Sequence, residues 1–383
     1  MKKKMLCVLL ASVMAVGTLA GCGGGNSSST TAAASGTTAA ASGTTAAASE
    51  SQTSGGQSDT ASGDLGDPQT FKFALTVAST HPYSIAAQDF AKIVEEKSGG
   101  NMKVELYYDG SLGGDNELMD AMQMNGVTFA LMGPAGVQTL CPMYNFFDLP
   151  CLFETTEAAY AFQDSEAVSS LLQADELVNN GVRGLGFYEN GWYLISNNKS
   201  EITTIDQLSG MKMCSMTSDM AIKSWEALGV QPVTMAFSEL FVSLQNGTVD
   251  GQETTVGSFY SSQFYEVQKY LTQSNRIFHV MTFLMSQQAW DALTEAQQNI
   301  LMEAVNESSL NHKEYMEKYN EDSINDMIQN YGVTYTDSLA EGEWQKMKDM
   351  SASIYDLVKD IDSARYDELM KAADEANAAY PAK

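Results

Sequence analysis

The chain has 383 residues, 44% of them hydrophobic and 9% aromatic, so it can bury a sizeable core, and length alone allows two or three domains. A formal charge of -27, from 21 basic and 48 acidic side chains, repels nucleic acid and anionic headgroups and argues against both as partners. None of the five cysteines stands in a Cys-x-x-Cys or Cys/His cluster, which argues against structural zinc.

Residues 1–21 combine Lys2, Lys3 and Lys4 with an apolar run too short to span a membrane, the pattern of a secretory signal. The run ends "LAGC", which resembles the bacterial lipobox and implies that Cys22 is the lipidated first residue of the mature chain. The alternative is a signal cut without lipidation. Residues 22–67 form a Gly/Ser/Thr/Ala tether whose "TTAAASG" run has a period of seven but no apolar seam and nothing aromatic to pack. About 45 such residues reach roughly 35–40 Å, enough to hold a domain clear of a membrane.

The folded part is expected over 68–383. "TFKFALTVAS" is an apolar strand, and "YSIAAQDFAKIVEEKSGG" a helix with Ile85, Phe90, Ile93 and Val94 on one face and a Gly-Gly stop. "MKVELYYDG" is a second strand, followed by a helix opened at Asp115 or Asn116 and a strand over 127–132. This alternation predicts an α/β fold with largely parallel pairing. The grammar then repeats: one or two strands in "GVRGLGFYENGWYLISN", a strand in "GMKMCSM", a capped helix in "SDMAIKSWEALG", and a helix capped by Ser238 before another strand. From Ala289 onward amphipathic helices dominate, of the kind that pack on sheet faces or brace two lobes. Cys141 and Cys151 bracket "CPMYNFFDLPC", leaving two states open: a disulfide in an oxidising compartment, or two free thiols.

Enzyme chemistry has no residue set to stand on. His81, His279 and His312 are scattered, no His-x-x-x-His pair exists, and no nucleophile elbow, phosphate loop or dinucleotide fingerprint occurs. The methionine-rich "GMKMCSM" raises Cu(I), but as a strand it turns Met211, Met213 and Ser215 one way and Lys212, Cys214 and Met216 the other. A metal would meet one cysteine and one methionine, so no metal and no cofactor is expected.

The segment "DQLSGMKMCSMTSDMAIKSWEALGVQPVTMAFSELFVSLQNGTVDGQE", with "GSLGGDNELMDAMQMNGVTFALMGP", "FFDLPCLF" and "WDALTEAQQNIL", resembles the substrate-binding subunits of tripartite ATP-independent periplasmic (TRAP) transporters, the C4-dicarboxylate-binding type. The resemblance runs from about Phe71 to the C-terminus. It implies a two-lobe periplasmic-binding-protein-like α/β fold with a hinge, a ligand cleft between the lobes and a long bracing helix. Lobe I would take about 68–190 plus part of 276–300, and lobe II about 191–275 plus the C-terminal helices. It further implies a non-catalytic solute receptor that serves two membrane partners, a small four-helix subunit and a large multi-spanning permease, driven by a sodium gradient. A receptor of similar fold serving a sensor kinase or another permease is the alternative.

In that family an arginine after "G-x-K" pairs with the ligand carboxylate; here the position is Cys214. The contact after "NG-aromatic" is Tyr193, following Trp192, and the asparagine ending "DGQEN" is Thr254, while Phe237 matches the aromatic set against the ligand. A carboxylate buried without its partner forgoes about 1.5–3 kcal/mol and keeps its desolvation cost. The expected ligand is therefore neutral, zwitterionic or cationic rather than a simple dicarboxylate. It would be held by Phe237, Trp192 and Tyr193, with hydrogen bonds from Gln252 and Thr254. Arg276 or Arg183 is the candidate replacement clamp. His81, Tyr83, Glu117 and Pro134 are candidate cleft residues, each equally readable as packing or capping.

Overall fold

The computed structural model describes residues 64–382, except positions 217 and 236 and the side chain of Ser238. The signal segment, Cys22 and the tether up to residue 63 lie outside the described residues.

The first half alternates as its periodicity predicts. β1 (Gln69–Ala74) is followed by the helix Pro82–Lys97, β2 (Met102–Tyr107), the helix Asp115–Gln123 and β3 (Phe129–Met132). β1 pairs in parallel with β2 on one side and β3 on the other. Phe73, Phe90, Phe129 and Phe283 meet ring to ring at 4.8 to 6.0 Å under the first helix, so this face has a rigid aromatic core.

"GVRGLGFYENGWYLISN" forms one strand, β4 (Val182–Asn197), not two. β5 (Lys212–Ser215), β6 (Gln231–Thr234), β7 (Gly251–Thr255), β8 (Tyr270–Ser286) and β9 (Thr334–Thr336) complete a nine-stranded sheet in the order β2-β1-β3-β8-β4-β7-β5-β6, with β9 on β8. β4 and β8 are antiparallel and almost wholly buried. One end of β8 pairs with β3 and the opposite end of β4 pairs with β7, so this ribbon belongs to both lobes. Its register slips between Glu189 and Gly191 and between Trp192 and Leu194. A third shift lies between Gly184 and Gly186, and such bulges bend a ribbon locally.

The bracing helix is Glu295–Tyr331, 37 residues and about 55 Å long. A Thr294/Gln297 capping box starts it, and Gly332, at φ 65°, ends it in the left-handed conformation that glycine adopts without strain. Ile300, Leu301, Ala304 and Val305 enter the core beneath β1 and β3, whereas Met327 joins Leu240, Val249 and Phe259 in the second lobe.

The C-terminal helices divide between the lobes instead of all joining the second. Met347, from Glu343–Met350, packs with Met213 and Trp225; Leu369 and Ala373, from Ser363–Ala379, pack with Ala158 and Phe162 in the first. Cys141 and Cys151 are free and buried in different cores, so the bridged state is not the one observed. Among the described residues no helix is long and apolar enough to cross a membrane.

Candidate functional site

β5 lies between β6 and β7 and is parallel to both, so their carboxyl ends open on one edge. In open α/β sheets that edge is where ligands bind. A cavity of about 130 Å³ sits there, and its walls include Tyr193, Cys214, Trp225, Phe237, Gln252 and Thr254. Five residues expected from the sequence thus meet at one place: Tyr193, Cys214, Phe237, Gln252 and Thr254.

Burial follows strand alternation: Lys212 is exposed, Met213 and Ser215 are buried, and Cys214 is half-buried, facing the cavity together with Met216. Burial pushes the Cys214 thiol up to about 11, so it is neutral at pH 7. Among the described residues no group of three or more potential metal ligands exists. Phe237 starts the helix Phe237–Gln245, one residue before the expected Ser238 cap. Its ring is 55% exposed and stands edge-on to Phe264 at 5.7 Å. Tyr193 stacks on His279 at 4.9 Å, while Gln252 is buried with no hydrogen-bond partner for Nε2.

Arg276 does not line the cavity. Its guanidinium donates from Nε and Nη2 to the two carboxylate oxygens of Glu253 and from Nη1 to Ser224 Oγ, and it lies 4.6 Å over the Trp225 ring. The group is buried behind Trp225 and Glu253, so its hydrogen bonds are spent inside the protein. Arg183 is far along β4, opposite Met285, stacked at 3.9 Å on Trp290. Neither arginine lines the cavity.

The other expected residues have structural duties. His81 caps Pro82–Lys97 by accepting from the Tyr83 amide at 3.4 Å, and Glu117 reaches back to accept from the Gly114 amide at 3.1 Å at the start of its own helix. Pro134 opens the short helix Pro134–Val137. Trp192 points to the opposite side of the ribbon from Tyr193, donating to Thr156 Oγ1 at 3.0 Å. There it lines a larger cavity of about 530 Å³, whose walls include Tyr160, Glu189, Lys313, Glu317 and Asn320.

A buried polar chain runs from β8 through β4 and β7 to the first helix: His279 to Asn190 at 3.1 Å, Asn190 to Thr255 at 3.2 Å, Thr255 to Ser258 at 3.2 Å, and Ser258 to His81 at 3.5 Å. Burial lowers His279 to about 4; it lowers His81 to about 3, aided by the neighbouring His312. Asp148, sealed beside Arg276, is raised to about 7 by burial, with Arg276 opposing and Glu253 adding to the shift.

Sequence reasoning missed Trp225, Glu253, Met216 and Met235, all of which line the cavity. Glu253 sits inside a recognised motif, but its pairing with Arg276 has no local signal, because the two residues are on β7 and β8, the strands flanking β4.

Two lobes on a shared ribbon, a cleft at parallel strand ends and a helix bracing both lobes define a solute-binding protein of the periplasmic-receptor class. The profile of bacterial extracellular solute-binding protein family 7 (DctP) matches residues 73–360, and the chain belongs to that family. It is similar to the C4-dicarboxylate-binding protein DctB of Bacillus subtilis (strain 168), with 32% identity over 294 residues, 74% of this chain and 81% of DctB. The C4-dicarboxylate-binding periplasmic protein DctP of Rhodobacter capsulatus is 33% identical over 64% of this chain and 73% of its own. Among solved structures, the sugar acid binding protein DctPAm of Advenella mimigardefordensis in complex with galactonate superposes with a TM-score of 0.75 at 30% identity, covering 82% of this chain and 100% of that one. A TRAP periplasmic solute-binding protein of Shewanella oneidensis with bound succinate gives 0.73 at 28%, covering 81% and 99%.

Proposed function

We propose that this chain is an extracytoplasmic receptor that captures a small organic solute between its lobes and delivers it to the membrane subunits of a TRAP-type secondary transporter. The observation that carries this is the convergence of Tyr193, Cys214, Phe237, Gln252 and Thr254 on one cavity, in a chain of this family. The lobes close on the solute, and no covalent chemistry is needed. Cys22 would carry the lipid anchor and the residues after it the tether, which ends short of the expected residue 67 because Thr294 holds the Asp64 carbonyl and Leu65 packs on the core; together they keep the receptor near its permease and out of the cytoplasm. Because Cys214 stands at the carboxylate-clamp position, the solute lies outside the simple dicarboxylates.

The test is solute uptake by proteoliposomes that contain the permease subunits, under a sodium gradient. Uptake that requires added receptor supports the reading; uptake indifferent to it counts against delivery. Radiolabelled fatty acid incorporated by the native chain and not by Cys22→Ser checks the anchor.

A further inference from the structure

The charges around the cavity define the ligand more narrowly than the missing arginine does. Glu253 is the one charged side chain among the described residues lining it, and both of its carboxylate oxygens are taken by Arg276. An organic cation thus finds no free carboxylate. An organic anion finds no free guanidinium or ammonium, and the Glu253–Arg276 pair behind the wall is net neutral, so a buried anion would keep its desolvation cost without a partner. The remaining polar groups are neutral: the Cys214 thiol and the Thr254, Ser215 and Tyr193 hydroxyls.

One of them asks for a partner. Gln252 is 1% exposed, lines the cavity, and its Nε2 has no acceptor in the protein. Buried amide donors are nearly always satisfied, and this one lies just beneath the cavity wall, so a turn of the Gln252 side chain toward the cavity would pair it with an acceptor on whatever fills it. The remaining walls are flat or polarisable: Trp225, Phe237 and Tyr193 rings with Met216 and Met235 thioethers. A dry cavity of about 150 Å³ holds one benzene ring, and this one measures about 130 Å³.

We infer that the solute is an uncharged small ring bearing a carbonyl or ring-nitrogen acceptor, such as a lactam, an aromatic carboxamide or a pyrimidine. The ring lies between Phe237 and Trp225, and the acceptor takes the Gln252 Nε2 hydrogen bond. This rests on the receptor reading and sharpens it.

The experiment is calorimetric titration of the detergent-solubilised full chain, stripped of ligand by unfolding and refolding. The probes are uracil and nicotinamide (neutral rings), succinate and galactonate (carboxylates), and benzylamine (a cation). Saturable one-to-one binding of a neutral ring, weakened at least tenfold in Gln252→Leu, with the carboxylates inert, is the expected result. Cys214→Arg then tests the same wall by gain of function: carboxylates gain at least tenfold and the neutral ring loses affinity. Binding of only a carboxylate or only benzylamine to the native chain overturns the ligand class and leaves the receptor reading standing. Neutral-ring binding indifferent to both substitutions places the ligand elsewhere and overturns the proposal. Failure of all three classes, with native circular dichroism after refolding, counts against both readings.

Discussion

Arg276 on β8 reaches across β4 and holds both carboxylate oxygens of Glu253 on β7, so a guanidinium lies directly behind the cavity wall without entering the cavity. The pair is at most 9% exposed at either side chain, which makes it an interior ion pair. Removing Arg276 alone leaves a buried, uncompensated carboxylate, so Arg276→Ala is expected to cost about 3–5 kcal/mol in urea unfolding. The double variant Arg276→Met/Glu253→Leu should recover most of that loss. A double variant no more stable than Arg276→Ala would mean that the pair matters through shape instead of charge.

Phe237 offers the opposite case. Its ring is more than half exposed, so truncation removes little from the folding core. Phe237→Ala is expected to leave stability within about 0.5 kcal/mol. Covering the exposed half of that ring with ligand is worth about 0.8–1.6 kcal/mol, so solute affinity should fall roughly fourfold to fifteenfold. Unchanged affinity would remove Phe237 from the site.

Asp148 gives stability a defined pH dependence. Its folded value is raised from 3.8 to about 7, so between those values the folded state binds more protons than the unfolded state. Stability contributed by this group is full below pH 3.8 and declines as pH rises toward 7. Asp148→Asn keeps the shape and removes the titration. Its stability relative to the native chain should therefore grow from pH 4 to pH 7 and then level off, which urea midpoints at successive pH values will show.

The histidines act with the opposite sign. His81, His279 and His312 are the only three in the chain, and burial lowers them to about 3, 4 and 4. Each folded value lies below the unfolded 6.5, so stability from keeping them neutral is present above pH 6.5 and is lost as pH falls toward 4. Imidazole proton resonances of the folded chain should show no titration between pH 5 and 8. One that titrates near 6.5 would mean that its surroundings are open to water instead of sealed.

Gly251 is required by close packing. A Cβ at this position would overlap the Ser196 carbonyl oxygen and crowd Asn197 and the Met213 sulfur. Since backbone cannot rotate away as a side chain can, Gly251→Ala should displace β7 from β4 and cost about 1–3 kcal/mol or more. Chemical unfolding checks this; a loss below 0.5 kcal/mol would show that the strands can part freely.

Local chemistry made much of this protein legible from its sequence. Hydrophobic periodicity and capping residues mark the alternation of β1 to β3 with their helices, and Ser218 caps Asp219–Glu226 by accepting from the Ala221 amide at 3.1 Å. Motif resemblance singled out Cys214, Phe237, Gln252, Thr254 and Tyr193, which meet at one cavity because Cys214 and Thr254 stand near the carboxyl ends of β5 and β7, Phe237 starts a helix, and Tyr193 and Gln252 lie on the paired strands β4 and β7. Only the tertiary structure decided what charges that cavity holds. Arg276 and Glu253 are 23 positions apart and on strands separated by β4, and Trp225 reaches the cavity from a helix whose facing partner no local pattern names. The roles of Trp192, His81 and Glu117 turned on the same distinction. A side chain's type and spacing are local, but whether it meets ligand, a backbone amide or an opposite charge depends on which distant strand is folded against it.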